Sequence, residues 1–357
     1  MNKPTPKYVL VEQKIKHAIK HREIVDKLPG ERTLAKEYGF SYMTIRKAVD
    51  NLVSQGLLYK IPMKGTYVAD RKTGKKKTKI IGYFLDSSIV AGLTSPYYSL
   101  IFNALQRQSE KHGYSLIYFT DIGDPGSYKH MNNIDGAIIS CFPRIEHIIH
   151  EINQHIPVVV IDNSSSDKTI PSVIIDNFNA VRSSIHYLCS MGHKRIGFIT
   201  GLEDSDVGKN RFAGYRSGLS NHGLKMNEKL VFRGDYSFES GAKGADYFLS
   251  LKNPPTAIVC ANDAMAIALI RQVVQHGLNV PDDISVIGFD DIAVASQLHP
   301  ALTTLAAPID KITELASNML ISLINGEESE HKHIALPAKL IIRETCTDIK
   351  KTIAANA

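Results

Sequence analysis

Residues 28–69 read LPGERTLAKEYGFSYMTIRKAVDNLVSQGLLYKIPMKGTYVA, and this stretch decides what the N-terminal part of the chain is. A first helix is expected from about Glu31 to Tyr38, with Leu34 and Ala35 facing inward. Gly39 follows where a tight turn favours a residue without a Cβ. A second helix opens after Ser41, whose hydroxyl can cap the orphan amides of a helix start. Its apolar residues Ile45, Ala48, Val49, Leu52 and Val53 recur at helical spacing. That leaves Tyr42, Met43, Thr44, Arg46 and Lys47 at or near the exposed N-terminal end. A helix-turn-helix presents the same part of its second helix to base edges in the major groove. A hairpin is expected next, with strands at 57–61 and 66–69 and with Lys64 and Gly65 at its tip. The pattern is a winged helix-turn-helix, and it implies double-stranded DNA as a partner.

The charge distribution agrees. The 357 residues carry a net charge of +6, but residues 1–79 hold 19 Lys and Arg against 7 Asp and Glu, a net of +12. Residues 80–357 hold 23 against 29, a net of −6. The basic excess therefore lies wholly in the head, where release of counterions from phosphates rewards it. Residues 8–22 form an amphipathic helix, with Val9, Ile15 and Ile19 able to pack under the head. Residues 71–79 hold Arg71 and five lysines with no apolar anchor. They read as a solvated linker, with phosphate contact as the alternative.

The wording of the head resembles the DNA-binding domain of the GntR family across nearly all of residues 7–70. That resemblance implies that Arg32, Thr44 and Arg46 sit at the DNA, with Lys64, Gly65 and Thr66 on the wing. Ser41, Tyr42 and Lys47 complete the expected interface. Two departures stand out: Tyr42 replaces the basic residue common after the opening Ser, and the tip Pro62-Met63-Lys64-Gly65 is poorer in glycine.

From Ile80 onward, short Val/Ile-rich runs alternate with helical patterns. Strands are expected at 79–85, 114–119, 135–140, 157–162, 172–176, 195–200, 230–232, 256–260 and 284–289. Helices are expected at about 97–112, 144–154, 177–191, 207–222, 237–250, 262–276 and 309–324. Near-continuous apolar strands flanked by helices are parallel strands buried on both faces. So many units need more than one sheet, so two α/β subdomains are expected, with ligands outside the carboxyl ends of the strands. Four polar groups lie there: Asp162 after VVVI, Arg211 in KNRFAGY, Asn262 in CAND and Asp290 in GFDD. Carboxylates, an amide and a guanidinium can bracket a polyhydroxylated ring. Tyr97 and Tyr98, at the start of the first body helix, can add aromatic faces. Asp263 and Asp291 are read as structural supports beside their neighbours, and so is His193 in MGHKRIG.

The body's wording, from SPYYSLIFNALQRQSEKHGYSLIYF through SVIIDNFNAVRSSIHYLCSMGHKRIGFITG to PTAIVCANDAMAIALIRQVVQHGLNVPDDISVIGFDD and LPAKLIIRET, resembles the LacI/GalR effector-binding domain over residues 80–345. That implies a periplasmic-binding-protein-like type I fold of two doubly wound α/β subdomains, three crossovers, a small ligand in the cleft and a homodimer. It also implies effector contacts at Asp162, Arg211, Asn262 and Asp290, and a sugar or sugar-like effector, with a pentose as the first candidate. Only 15 residues separate Phe119 from Asp135, where the family fits a longer helix. Residues 346–357 read as a tail.

Other classes are disfavoured. There is no GxGxxG, Walker A or GxSxG motif, so no enzyme activity and no cofactor are expected. A transport-type sugar receptor would not need the basic head. Cys141, Cys189, Cys260 and Cys346 lack metal or CxxC spacing and are expected to be buried and reduced. No signal peptide or membrane helix is evident, and a cytoplasmic setting is expected. The expectation is a repressor released from its operator by a sugar, with a purine or sugar-phosphate effector, or an activator of the same architecture, as the alternative.

Overall fold

The computed structural model describes residues 6–21, 23–62, 64–68, 77–85, 92–119, 133–140, 146–327 and 332–349. The head is built from α1 (Lys7–Lys20), α2 (Glu31–Tyr38), α3 (Tyr42–Ser54) and a hairpin of β1 (Leu58–Ile61) and β2 (Gly65–Val68). Gly39 adopts the left-handed conformation, φ 71°, and its amide closes α2 on Ala35. Ser41 caps α3 by accepting from the Thr44 amide. Val11, Ile15, Leu34, Ile45, Ala48, Val49 and Leu52 are fully buried together. On α1, Val11 and Ala18 share the core with Ile15, while Val9 stays half-buried. The hairpin starts one residue later than expected. Gly56 turns left-handed and the Leu57 amide reaches back to the Leu52 carbonyl, the six-to-one closure of a helix end. Gly65 already belongs to β2, pairing with Ile61. The wing gains a third edge where Lys27 bridges Tyr67.

The body contains two six-stranded sheets. The first runs β4 (Ser115–Phe119), β3 (Ile80–Leu85), β5 (Gly136–Ser140), β6 (Val158–Ile161), β7 (Ser172–Ile175) and β13 (His333–Leu336), all parallel. The second runs β9 (Val231–Phe232), β8 (Ile196–Ile199), β10 (Ala257–Cys260), β11 (Ser285–Asp290) and β12 (Thr303–Ala306) in parallel, closed by antiparallel β14 (Lys339–Ile341). All nine expected body strands are present. β12, β13 and β14 are additional.

The chain passes between the sheets three times. After β7, α6 (Asn177–Ser190) packs on α7 (Asp206–Asn221) and the second sheet. After β12, α10 (Ile309–Ile324) returns to pack on β5, β6 and β7. The short step from β13 to β14 is the third passage. The remaining body helices are α4 (Pro96–Lys111), α5 (Glu146–His155), α8 (Phe238–Leu249) and α9 (Asp263–Gln275). Val158 to Ile161 and Ala257 to Cys260 are fully buried, as strands covered on both faces must be.

The described end of the linker and the described start of the C-terminal tail are both anchored. The carboxylate of Asp135 accepts from the Thr78 amide at 2.7 Å, the Thr78 hydroxyl at 2.9 Å and the Lys79 amide at 2.9 Å. Lys77 Nζ donates to Asn325 at 2.9 Å. The C-terminal stretch stays packed through Ile349, whose amide donates to the Met191 carbonyl. Cys260 is buried, whereas Cys189 and Cys346 are half-buried, and all three are free thiols. Cys141, Met63, Ala69, residues 71–76 of the linker and most of the short segment between Phe119 and Asp135 lie outside the described residues. No described helix is long and apolar enough to cross a membrane.

Candidate effector cleft and nucleic-acid interface

The working end of α3 is set by its cap. Ser41 Oγ lies 2.8 Å from Thr44 Oγ1, so both hydroxyls are engaged with each other. Tyr42 and Met43 are 41% and 68% exposed, and Arg46 and Lys47 face solvent. Lys47 Nζ lies 4.4 Å from the centre of the Tyr8 ring, so its charge is held back toward α1. Arg32 is exposed on α2, and Lys64 and Gly65 are exposed on the wing, with Thr66 half-buried. Gly65 has φ 122°, and a Cβ there would lie 3.0 Å from Lys27 Cε. Lys60 fixes the wing to the helices, reaching Asp50 on α3 at 2.6 Å and Glu31 on α2 at 3.3 Å.

The cleft gathers side chains from both halves of the body. Asp162 follows β6, Tyr97 and Tyr98 open α4, Arg211 lies on α7 and Asp290 ends β11. The Tyr97 hydroxyl donates to Asp162 Oδ1 at 2.6 Å, and the Tyr97 and Tyr98 rings meet edge-on at 5.2 Å. Arg211 is 4% exposed. Its Nε donates to Asn177 Oδ1 at 2.7 Å, one Nη donates to the Ala261 carbonyl, and the other lies 3.9 Å from Asp290. Its guanidinium carbon sits 3.5 Å from the Phe289 ring centre.

These surroundings displace the acids. Burial pushes the Asp162 carboxyl up, opposed by the Tyr97 hydrogen bond and by Arg211. Burial pushes Asp290 well above the usual carboxylate range, opposed by Arg211 and reinforced by Asp263 and Asp162. The Tyr97 and Tyr98 hydroxyls are likewise raised, by burial and then by Asp162. Backbone conformation is unusual at the same place: Asp162, Tyr236, Asp290 and Asp291 have φ between 59° and 112°. Left-handed non-glycine residues cost about 1–3 kcal/mol each and concentrate at ligand sites.

One expectation changes in detail. Asn262 is the N-cap of α9: its Oδ1 accepts from the Met265 amide at 2.9 Å and its Nδ2 donates to the Tyr236 carbonyl at 3.0 Å. Both polar ends are thus occupied within the chain. Asp263, read as a structural support, joins the loop after β11 to β12, accepting from the Ile292 amide at 2.9 Å and the Thr304 hydroxyl at 2.5 Å. Burial raises its carboxyl to about 7. Asp291 is a support, paired with Arg343 at 2.7 Å. His193 bridges Thr256 and the Thr347 carbonyl, as a structural histidine does.

Tyr236 escaped the sequence reading. Its ring lies 6.0 Å from the Arg211 guanidinium carbon. Its hydroxyl is buried without a hydrogen bond of good geometry, its neighbour Ser205 being engaged in the α7 cap. Gly201 makes room for it, since a Cβ there would lie 1.9 Å from the ring. Nothing in GDYSFES marks this tyrosine. Among the described residues no group of three or more His, Cys, Asp or Glu could hold a metal ion. The cleft can accept and donate hydrogen bonds around a small polar molecule and offer it tyrosine faces.

Residues 7–68 match the gntR family of bacterial regulatory proteins, and residues 185–346 match the periplasmic binding protein-like domain. The chain is 32% identical over 274 residues to the probable HTH-type transcriptional repressor ExuR of Bacillus subtilis, covering 76% of this chain and 81% of that protein. A sugar-binding transcriptional regulator of the LacI family from Escherichia coli, complexed with phosphate, superposes with a TM-score of 0.64 at 28% identity, over 76% of this chain and all of that one. The Escherichia coli transcriptional repressor ascG gives a TM-score of 0.66 at 27% identity, over 75% of this chain and 99% of that one.

Proposed function

This chain belongs to the LacI-type family of transcriptional regulators, with a head of the gntR family, and we propose that it is a repressor released from its operator by a small polyhydroxylated effector. The observation that carries the effector half is the convergence of Tyr97 and Asp162 from one subdomain with Arg211, Tyr236 and Asp290 from the other. Charge acts across the gap: Arg211 draws the Asp162 carboxyl down, and Asp162 pushes Asp290 up. A ligand bridging these groups favours one spacing of the two subdomains. It shifts DNA affinity only by its differential affinity for the two arrangements.

On the DNA side, Tyr42, Thr44, Arg46 and Lys47 on α3, Arg32 on α2 and Lys64 to Thr66 on the wing form the operator face. Ser41 sets its geometry as the cap. Near-palindromic operators suit a homodimer, whose two heads would read successive half-sites. Such a protein works where the chromosome is, in the cytoplasm.

A sugar fits the carboxylate, guanidinium and tyrosine set, and the similar regulator from Escherichia coli is described as sugar-binding. The test is a thermal-shift screen of the full chain against pentoses, hexoses, sugar phosphates, sugar acids and nucleosides. A ligand at 100 times its Kd adds about 2.7 kcal/mol to the domain that holds it. A hit that also releases operator DNA, and that Arg211→Ala abolishes, supports the reading. Silence across the panel from folded protein sinks the sugar effector and leaves the DNA-binding role intact.

A further inference from the structure

Among the described head residues, the large apolar side chains left exposed are Leu10, Val25, Tyr42 and Met43. Two of the four are adjacent, on the first turn of α3. Neither joins the head core, and neither takes part in the cap, which Ser41 and Thr44 make between them. A thioether 68% exposed on a helix surface gains nothing from packing within this chain.

The polar readers on this turn are fewer than the sequence suggests. The Ser41 and Thr44 hydroxyls are paired at 2.8 Å, and Lys47 is drawn over Tyr8. Arg46 and Lys47 are both exposed, Lys47 with its charge over the Tyr8 ring. In the major groove every base pair shows hydrogen-bonding groups, but only pairs containing thymine show an apolar one, the C5 methyl. We infer that Tyr42 and Met43 are an apolar reading pair for thymine methyl groups, so that each operator half-site carries thymine where the first turn of α3 lies. This inference rests on α3 being the helix that enters the groove.

The test begins with the full chain selecting duplexes from a randomised library. The enriched half-site is resynthesised with deoxyuridine replacing each thymine in turn, which removes one methyl and leaves the hydrogen-bonding pattern unchanged. At one or two thymines per half-site the Kd should rise about fourfold, the factor that burial of one methyl group supplies. Met43→Ala, which touches no core residue, should weaken binding to the thymine duplex and abolish discrimination at one of those positions. Tyr42→Ala should do so at the other, if two are found. Indifference to deoxyuridine at every position overturns the inference while operator binding stands, and so does full discrimination retained by both variants. Failure of folded protein to enrich any duplex overturns the groove assignment and this inference with it.

Discussion

The head keeps its working side chains in water, and the cleft keeps its own out of it. Tyr42, Met43, Arg46 and Lys64 are exposed on a small scaffold whose described left-handed residues are all glycines. Arg211 and Asp290 are 4% and 7% exposed, and four non-glycine residues around them are left-handed. The displaced ionisable groups among the described head residues are Tyr38, Tyr59 and Lys60, all pushed upward from values already far above neutrality. The cleft has raised tyrosines too, but it adds carboxyls pushed toward neutrality. A surface meant for a polyanion needs accessible donors, and water does not prevent them from working. A cleft that must distinguish small polar molecules needs low dielectric and preset dipoles. The two regions should therefore respond to mutation and to pH on different scales.

The largest expected effect is that of Arg211→Ala. It removes the donor to Asn177 and the Ala261 carbonyl, the cation over Phe289, and the charge that moderates Asp162 and Asp290. Breaking a buried charged set by deleting one partner costs about 3–5 kcal/mol. Calorimetry of the full chain should show the body transition falling by that order while the head transition stays in place. Operator affinity without effector should be unchanged, and effector response should vanish. A body transition left within ~1 kcal/mol of the parent would show that the cleft is as wet as the head.

The second expectation separates the regions by pH. The folded Asp263 carboxyl lies at about 7, above the ~3.9 of an unfolded chain. Between those values the native state binds more protons than the unfolded one. Asp263 therefore favours folding most below about pH 4, and its contribution declines as pH rises through about 7. Asp263→Asn removes the titration. Relative to the parent, the variant body should gain stability steadily from pH 5 to about pH 7 and level off by pH 8, read from paired denaturant melts. The head transition should show no such difference. A constant offset between variant and parent across that range would mean that Asp263 does not titrate there.

Sequence legibility follows the same division. The head could be read residue by residue because its determinants are local: Ser41 caps the helix it precedes, Gly39 supplies its own turn, and the α3 stripe has a helical period. The nine body strands were legible because each is a short, largely apolar run between helical patterns. β12, β13 and β14 were not, since TTLA, HIAL and KLI are too short for a period, and Thr303 and Thr304 are buried polar residues. The cleft acids and Arg211 could be placed by their positions after strands or on motifs. Tyr236 could not, because its place depends on Gly201, 35 positions away. That Asn262 caps α9 turns on a single residue at a helix start, finer than periodicity resolves.

A smaller effect is expected at the cap of α3. Ser41→Ala removes the acceptor of the Thr44 amide and the partner of its hydroxyl, a change that typically costs ~1 kcal/mol. The head transition should fall by that order, and operator affinity should fall with it because Tyr42 and Met43 sit on the turn the cap fixes. The body transition and effector binding should not move. Loss of head stability with operator affinity intact would mean that the first turn of α3 is not what reads the DNA.

The smallest effect sharpens the comparison most, because it concerns the shorter ionic contact. Lys60 approaches Asp50 at 2.6 Å and Glu31 at 3.3 Å, whereas Arg211 stands 3.9 Å from Asp290. Distance alone would rank the wing contact above the cleft contact. The Lys60 and Asp50 side chains, however, are 39% and 55% exposed, so water screens the pair and solvates either partner left alone. Exposed ion pairs contribute about 0.2–1 kcal/mol, and Lys60→Ala should cost the head no more than that. Most of the cost should disappear at 1 M salt, where the screening length falls to ~3 Å. The Arg211→Ala deficit, with its partners buried, should persist at the same salt. If the two deficits instead fade together as salt rises, the cleft is solvated and burial does not distinguish the two regions. If only the wing deficit fades, burial rather than proximity sets what each contact is worth.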